Sequence, residues 1–190
     1  MKKSVLSAVF ICGMITVQAQ EKNTVNITTT AVPFLRISPD ARSGGIGDAA
    51  IALSPDANSV FYNQAKIPFA KNRTAIGATY TPWLKDVADN MYLATLAGFH
   101  QLDELQSVSA SLRYFNAGDI TIADYNGNKL QTASPREFAF DLGYSRKLSD
   151  KIGIGAALRY ISSRLATGSI NGTSYKAGNA VAADLSAFYD

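Results

Sequence analysis

Few residues in this chain could do chemistry. His100 is the one histidine and Cys12 the one cysteine among 190 residues. A metal centre needs several His, Cys or carboxylate ligands at defined spacing, and the sequence assembles no such set around His100. A serine hydrolase would have to use His100 as its base, and no Gly-x-Ser-x-Gly elbow accompanies it. Asp103 and Glu104 are adjacent in a polar turn, the pattern of solvated turn carboxylates. A glycosidase pair needs a cleft and a fixed separation, and neither is specified. Gly44, Gly45 and Gly47 make a glycine-rich loop, but their spacing fits neither the P-loop nor the dinucleotide fingerprint, and no βαβ unit surrounds them. The sequence therefore specifies no catalytic, cofactor-binding or metal residues and no cofactor, and it points away from an enzyme. It leaves any partner-binding residues unspecified. Four charges stand out instead because of where they sit: Arg113, Asp141, Arg159 and Asp184 each fall inside an alternating stretch.

Those stretches have a period of two. In residues 107–114, Val108, Ala110, Leu112 and Tyr114 fall on one face, and Ser107, Ser109, Ser111 and Arg113 on the other. This is the pattern of a strand with one apolar and one polar face. Residues 151–163 set Ile152, Ile154, Ala156, Leu158 and Tyr160 against Gly153, Gly155, Ala157 and Arg159. Residues 137–146 set Phe138, Phe140, Leu142 and Tyr144 against Asp141, Gly143 and Ser145. Residues 181–189 set Val181, Ala183, Leu185, Ala187 and Tyr189 against Asp184 and Ser186. Two further strands, at about 73–83 and 90–100, alternate less sharply. All four charges then share the polar side. Such strands exceed the ~5–6 residues usual in globular proteins and approach the ~9–11 of a tilted bilayer-spanning strand. Connections 102–106 and 147–150 are short and polar, whereas 117–135 and 164–179 are long and rich in Gly, Asn, Ser and Thr, with a turn signal at Tyr125-Asn126-Gly127-Asn128. Tight turns at one end and long loops at the other are the signature of an outer-membrane β-barrel. Aromatic residues near strand ends (Tyr80, Trp83, Tyr114, Phe115, Tyr160, Phe188 and Tyr189) suit interfacial girdles. A secreted β-sandwich also alternates; the strand lengths favour the barrel.

Residues 1–19 read as a secretory leader. Lys2 and Lys3 precede an apolar core over 5–17, and Val17-Gln18-Ala19 leads to a cut near Ala19/Gln20. The stretch is too short for a membrane anchor, and Ile11 before Cys12 does not suit a lipoprotein signal. Cleavage removes Cys12 and two lysines, so the net charge falls from +3 to +1. With no basic cluster, nucleic acid is not expected as a partner. The 47% hydrophobic and 17% charged composition argues against intrinsic disorder, and beyond residue 20 no run is long enough for a membrane helix.

Residues 20–72 do not read as strands. The glycines permit tight turns, residues 49–53 could form a helical turn, and Ser54-Pro55-Asp56 could start another with Pro at its first position. Such a compact segment can fold inside a barrel as a plug; the alternative is an irregular extension outside it. The runs 34–48 and 54–58 carry a resemblance, as do 80–84 (Tyr-Thr-Pro-Trp-Leu), 111–115 (Ser-Leu-Arg-Tyr-Phe), 144–150 and 177–185. Together they resemble the FadL-like superfamily of outer-membrane barrels. Within it they resemble the barrel family of the Bacteroidota type IX secretion system. One departure is Gln64, where the superfamily usually has Pro.

The resemblance implies an all-β transmembrane antiparallel barrel, of about 14 strands when complete, with an N-terminal lumenal plug in the cell outer membrane of a Gram-negative bacterium. It implies that the protein binds secreted cargo bearing a C-terminal signal domain and shuttles it from the translocon to a surface attachment complex, in contact with outer-membrane lipid. Alternatives within the resemblance are a transporter of hydrophobic small molecules and a lipopolysaccharide-modifying enzyme, the latter depending on His100. Residues 73–190 supply six strands, whereas the smallest single-chain barrels have about eight, so the chain is expected to hold the N-terminal part of a barrel.

Overall fold

The computed structural model describes residues 32–84, 90–123, 127, 129–164, 168–170, 173–175 and 177–190. The expected leader and its cleavage point lie outside the described residues, as do the first residues of the expected plug and all of the Tyr125–Asn128 turn except Gly127.

Among the described residues ten strands follow one another: β1 (Thr74–Pro82), β2 (Met91–Gln101), β3 (Gln106–Ala117), β4 (Ile120–Ala123), β5 (Lys129–Ala133), β6 (Arg136–Lys147), β7 (Ile152–Arg164), β8 (Gly168–Ile170), β9 (Thr173–Tyr175) and β10 (Gly178–Tyr189). Six of them form one antiparallel sheet in the order β1-β2-β3-β6-β7-β10. These six are 9 to 13 residues long, as the alternation predicts. The sheet is open: β1 and β10 are its two edges and do not pair with each other. The fold is thus an all-β antiparallel meander of barrel-wall type, without closure. The two long connections are not plain loops. Each carries its own two-stranded ribbon, β4–β5 and β8–β9, and both lie at the same end of the sheet.

The opposite end is closed by two tight turns built on side-chain oxygens. Asp103 Oδ1 accepts from the amides of Leu105 (2.8 Å) and Gln106 (2.7 Å), and its Oδ2 accepts from Gln106 Nε2 (2.7 Å). Ser149 Oγ accepts from the Ile152 amide at 3.1 Å. These local bonds compete well with solvent because Asp and Ser reach their own backbone two or three residues on.

Residues 32–72 form four 3-10 turns, at Pro33–Arg36, Ala50–Ala52, Ala57–Phe61 and Gln64–Phe69, and one short helix, α1 (Ala41–Gly45). Side chains cap three of them. Asp40 Oδ2 accepts from the Ser43 amide at 3.0 Å, Asp56 and Ser59 form a reciprocal capping box, and Asn63 Oδ1 accepts from the Ala65 amide at 3.0 Å. The turn expected to begin with Pro55 at its first position begins at Ala57, with Asp56 as its cap. The reason is that the capping box satisfies two amide donors at once, which Pro55 could not do. After α1 the chain turns through Gly47 (φ 69°) and Asp48 (φ 62°), the left-handed region that glycine and aspartate tolerate best.

This segment covers one face of the sheet. Val60 and Ile67 pack on Ala97 and Phe99 of β2, and Phe34 packs on Ala139 and Ile161. Neighbouring residues on a strand point to opposite faces, and this corrects two aromatic assignments. Phe115 and Phe188 do not join an outer girdle. Phe115 stacks on Phe34 with centroids 6.5 Å apart, and Phe188 meets Phe69 edge-on at 5.4 Å, both on the covered face. The outer row near the long connections is Tyr80, Tyr92 and Tyr114, continued by Phe138 and Tyr160.

Candidate functional site

The covered face is where the polar side chains converge. Serines stand at alternate positions along β3, and the register sets Ser109 opposite Gly143 and Ser111 opposite Asp141. In turn Asp141 faces Arg159 across β6 and β7. Asp141 is buried, and it accepts from Ser111 Oγ at 2.7 Å and from Arg159 Nε at 2.5 Å. The other arm of the Arg159 guanidinium reaches Asp184 Oδ2 at 3.3 Å. Two carboxylates thus flank one guanidinium, and the Ser111 hydroxyl takes the second oxygen of the buried Asp141, the kind of added hydrogen bond a buried ion pair requires to offset desolvation.

Arg113 lies on the same face and does not join that pair. Its Nη1 donates to the Leu35 carbonyl at 2.5 Å, and its guanidinium stacks over the Phe61 ring at 4.7 Å. The four charges expected on one side do share it. Three form a network within the wall, and the fourth holds the covering segment.

The segment is fastened at several further points. Gln64 Oε1 accepts from Ser109 Oγ at 2.8 Å. Asn63 Nδ2 donates to the Ala187 carbonyl at 3.1 Å, and the Ala65 amide reaches Ser186 Oγ at 3.2 Å. Thr95 Oγ1 donates to the Pro39 carbonyl at 2.9 Å, and Gln101 Nε2 to the Ala70 carbonyl at 3.0 Å. Lys66 is buried within the segment, its Nζ donating to the Ala50 carbonyl at 2.7 Å. Burial pushes its ammonium below the ordinary lysine value, against the opposing field of Asp56.

Three glycines make room for this contact. A Cβ on Gly143 would overlap the Gln64 amide. One on Gly153 would overlap the Ala65 carbonyl and come within 2.7 Å of the Phe69 ring. One on Gly155 would come within 2.7 Å of Ser186 Oγ and 2.9 Å of the Ala65 amide. Reading the sequence alone gives these glycines only as the polar side of their strands, and gives Gln64 only as a missing proline. The signal was present, since small residues recur on the polar face of neighbouring strands, but what they admit depends on a segment 80 to 90 residues away. A cleft of about 300 Å³ remains between segment and wall, lined by Tyr62, Gln64, Arg159, Asp184 and Ser186.

The uncovered face is apolar. Ile76, Leu96, Leu112, Leu142, Leu158 and Leu185 are among the large side chains exposed there, with Leu185 at 89%. A hydrophobic face this large needs an apolar neighbour. His100 sits on it near the short turns, with Nδ1 2.7 Å from Thr74 Oγ1. Among the described residues no carboxylate is hydrogen-bonded to that imidazole, so the pair lacks the orienting third member of a triad. No group of three or more potential metal ligands occurs among the described residues, and no helix among them is long and apolar enough to cross a membrane.

A family model described as type IX secretion system protein PorV covers residues 18–190. No curated protein matches the chain.

Proposed function

We propose, because this chain belongs to the PorV family of type IX secretion system proteins, that it acts in the outer membrane as the component that binds secreted cargo and passes it on. The cargo carries a C-terminal signal domain and travels from the translocon to a surface attachment complex. On this reading residues 1–19 are the cleaved leader, residues 20–72 are a plug inside the lumen, and residues 73–190 supply six strands of the barrel wall.

The family match carries the proposal, since it spans nearly the whole chain. The sheet supports it. Its apolar face suits lipid and its polar face suits a lumen, because charges facing lipid at mid-depth cost about 2–4 kcal/mol each whereas lumenal charges are tolerated. By the usual sidedness of such barrels the tight turns at Asp103 and Ser149 face the periplasm, and the β4–β5 and β8–β9 ribbons face outward, where they can meet cargo and partner proteins. The polar network of Ser111, Asp141, Arg159 and Asp184 favours this role over passage of a hydrophobic small molecule.

Affinity capture of the full-length protein from detergent-solubilised outer membranes tests the role. Cargo with the C-terminal signal domain and the translocon should co-purify, and removal of the β4–β5 or β8–β9 ribbon should reduce their recovery. Recovery of neither cargo nor translocon would overturn it.

A further inference from the structure

The apolar face is not evenly filled. Across the β2–β3 register Gly98 stands opposite Ala110, and these two small residues floor a hollow of about 510 Å³. Its walls are Ile76, Leu96, Leu112 and Leu142. The floor cannot easily be raised at Gly98, where a Cβ would lie 3.0 Å from the Ala75 carbonyl oxygen. A second hollow of about 400 Å³ lies on the far side of Leu142, floored by Ala156 and Ala183. Each volume falls in the ~300–1,000 Å³ range of small-molecule sites. Ala110 on β3 and Ala156 on β7 are two strand spacings apart across the sheet, about 9.6 Å, and offset by two residues along it.

The first hollow ends in polar groups at its short-turn side. Thr74 and His100 line it there. One step further toward the turn Gln106 pairs with Arg146, both on the same face, and Tyr144 donates its hydroxyl to Gln106 Oε1 at 2.5 Å. Arg146 is exposed. The carboxylate of neighbouring Asp103 is already engaged by the amides of Leu105 and Gln106. The first trough thus ends at an imidazole, and the Arg146 guanidinium stands one outward-facing position beyond Tyr144, which lines the second trough.

We propose that this face seats one glycerophospholipid in a fixed position, its two acyl chains in the hollows on either side of Leu142 and its phosphate at His100 and Arg146. The charge argues for the occupant: a twin-chained apolar body with an anionic head matches apolar troughs beside the exposed guanidinium of Arg146, with the His100 imidazole as a further hydrogen-bonding group. The inference rests on the reading of this face as lipid-facing, and assigns one site on it.

Native mass spectrometry of the full-length protein, reconstituted in vesicles of phosphatidylethanolamine and phosphatidylglycerol and then extracted, counts the retained lipid. Wild type should keep one phospholipid. Ala110→Phe and Ala156→Phe, which fill the hollows, should each lower retention at least tenfold. Val181→Phe, which enlarges the same face outside both hollows, should leave it unchanged. Equal retention in all variants, or retention of none by wild type, would overturn the assignment. A Leu158→Cys variant carrying a fluorophore separates the two readings. Quenching by lipid-borne quencher with no retained phospholipid overturns this site alone, and absence of quenching overturns the lipid-facing reading itself.

Discussion

Asp103 and Lys66 are titratable groups whose surroundings shift them, in opposite senses of consequence. The Leu105 amide, first among several donors, holds the Asp103 carboxyl below its ordinary value of 3.8, so the turn favours the charged form. Its contribution is complete above about 3.8 and is lost as pH falls through the depressed value. Asp103→Ala should therefore speed amide exchange at Leu105 and Gln106 at every pH above 4, and wild type should approach the variant only below that. Lys66 is lowered by burial from its ordinary 10.5, so the folded segment disfavours the ammonium that the unfolded chain keeps. Between the depressed value and 10.5 the unfolded state binds more protons, and stability rises with pH across that window. The melting midpoint of wild type in detergent should climb there, and Lys66→Met should flatten the climb. The third residue-scale expectation concerns Asp141, which is buried between Ser111 and Arg159. Asp141→Ala removes the buried partner of Arg159 and leaves the guanidinium only Asp184, so it should cost less than the about 3–5 kcal/mol of a buried charge left without any partner, read as a shift in the denaturation midpoint. Asp141→Asn, which keeps an acceptor for Ser111, should cost less.

At the scale of elements, the contact between the Gln64–Phe69 turn and β6, β7 and β10 depends on absent side chains. Gly155→Val should push the turn off the wall, with an overpacking cost of about 1–3 kcal/mol, and proteolysis within residues 57–69 should accelerate while the strands stay protected. The strands themselves were legible in the sequence, because a period of two needs only neighbours to be read. Ser107 to Tyr114 alternate without a break, and β3 extends that run by one residue before it and three after it. The covering segment was legible only as a set of turns. Pro55 looked like a helix start, and Asp56 took that role because its box with Ser59 satisfies two donors. Phe115 and Phe188 looked like girdle residues by position along the strand, but parity puts them under Phe34 and Phe69. The ribbons β4–β5 and β8–β9 were hidden in loop-like composition, since three- to five-residue strands are too short to show a period.

For the molecule as a whole, the two faces of one sheet call for different solvents. Leu158, 63% exposed at the centre of the apolar face, should tolerate no charge. Leu158→Arg should destabilise the membrane-inserted form by about 2–4 kcal/mol, measurable by folding titration in bilayers, whereas Ala182→Arg, on the polar side opposite Arg159 in register, should cost less. The joint between segment and wall has a consequence in time as well as in space. Asn63 reaches Ala187 across 124 positions, and the Ala65 amide reaches Ser186 across 121. The six strands pair with sequence neighbours through connections whose closure entropy grows only slowly with length, so the wall can be laid down one hairpin at a time. The part of the chain synthesised before them has no finished seat until β10 has joined β7. At Asn63 and Ala65 anchoring therefore runs against the order of synthesis: residues made before every strand lock only after the last of the six, and their locking reports that the sixth strand is in place.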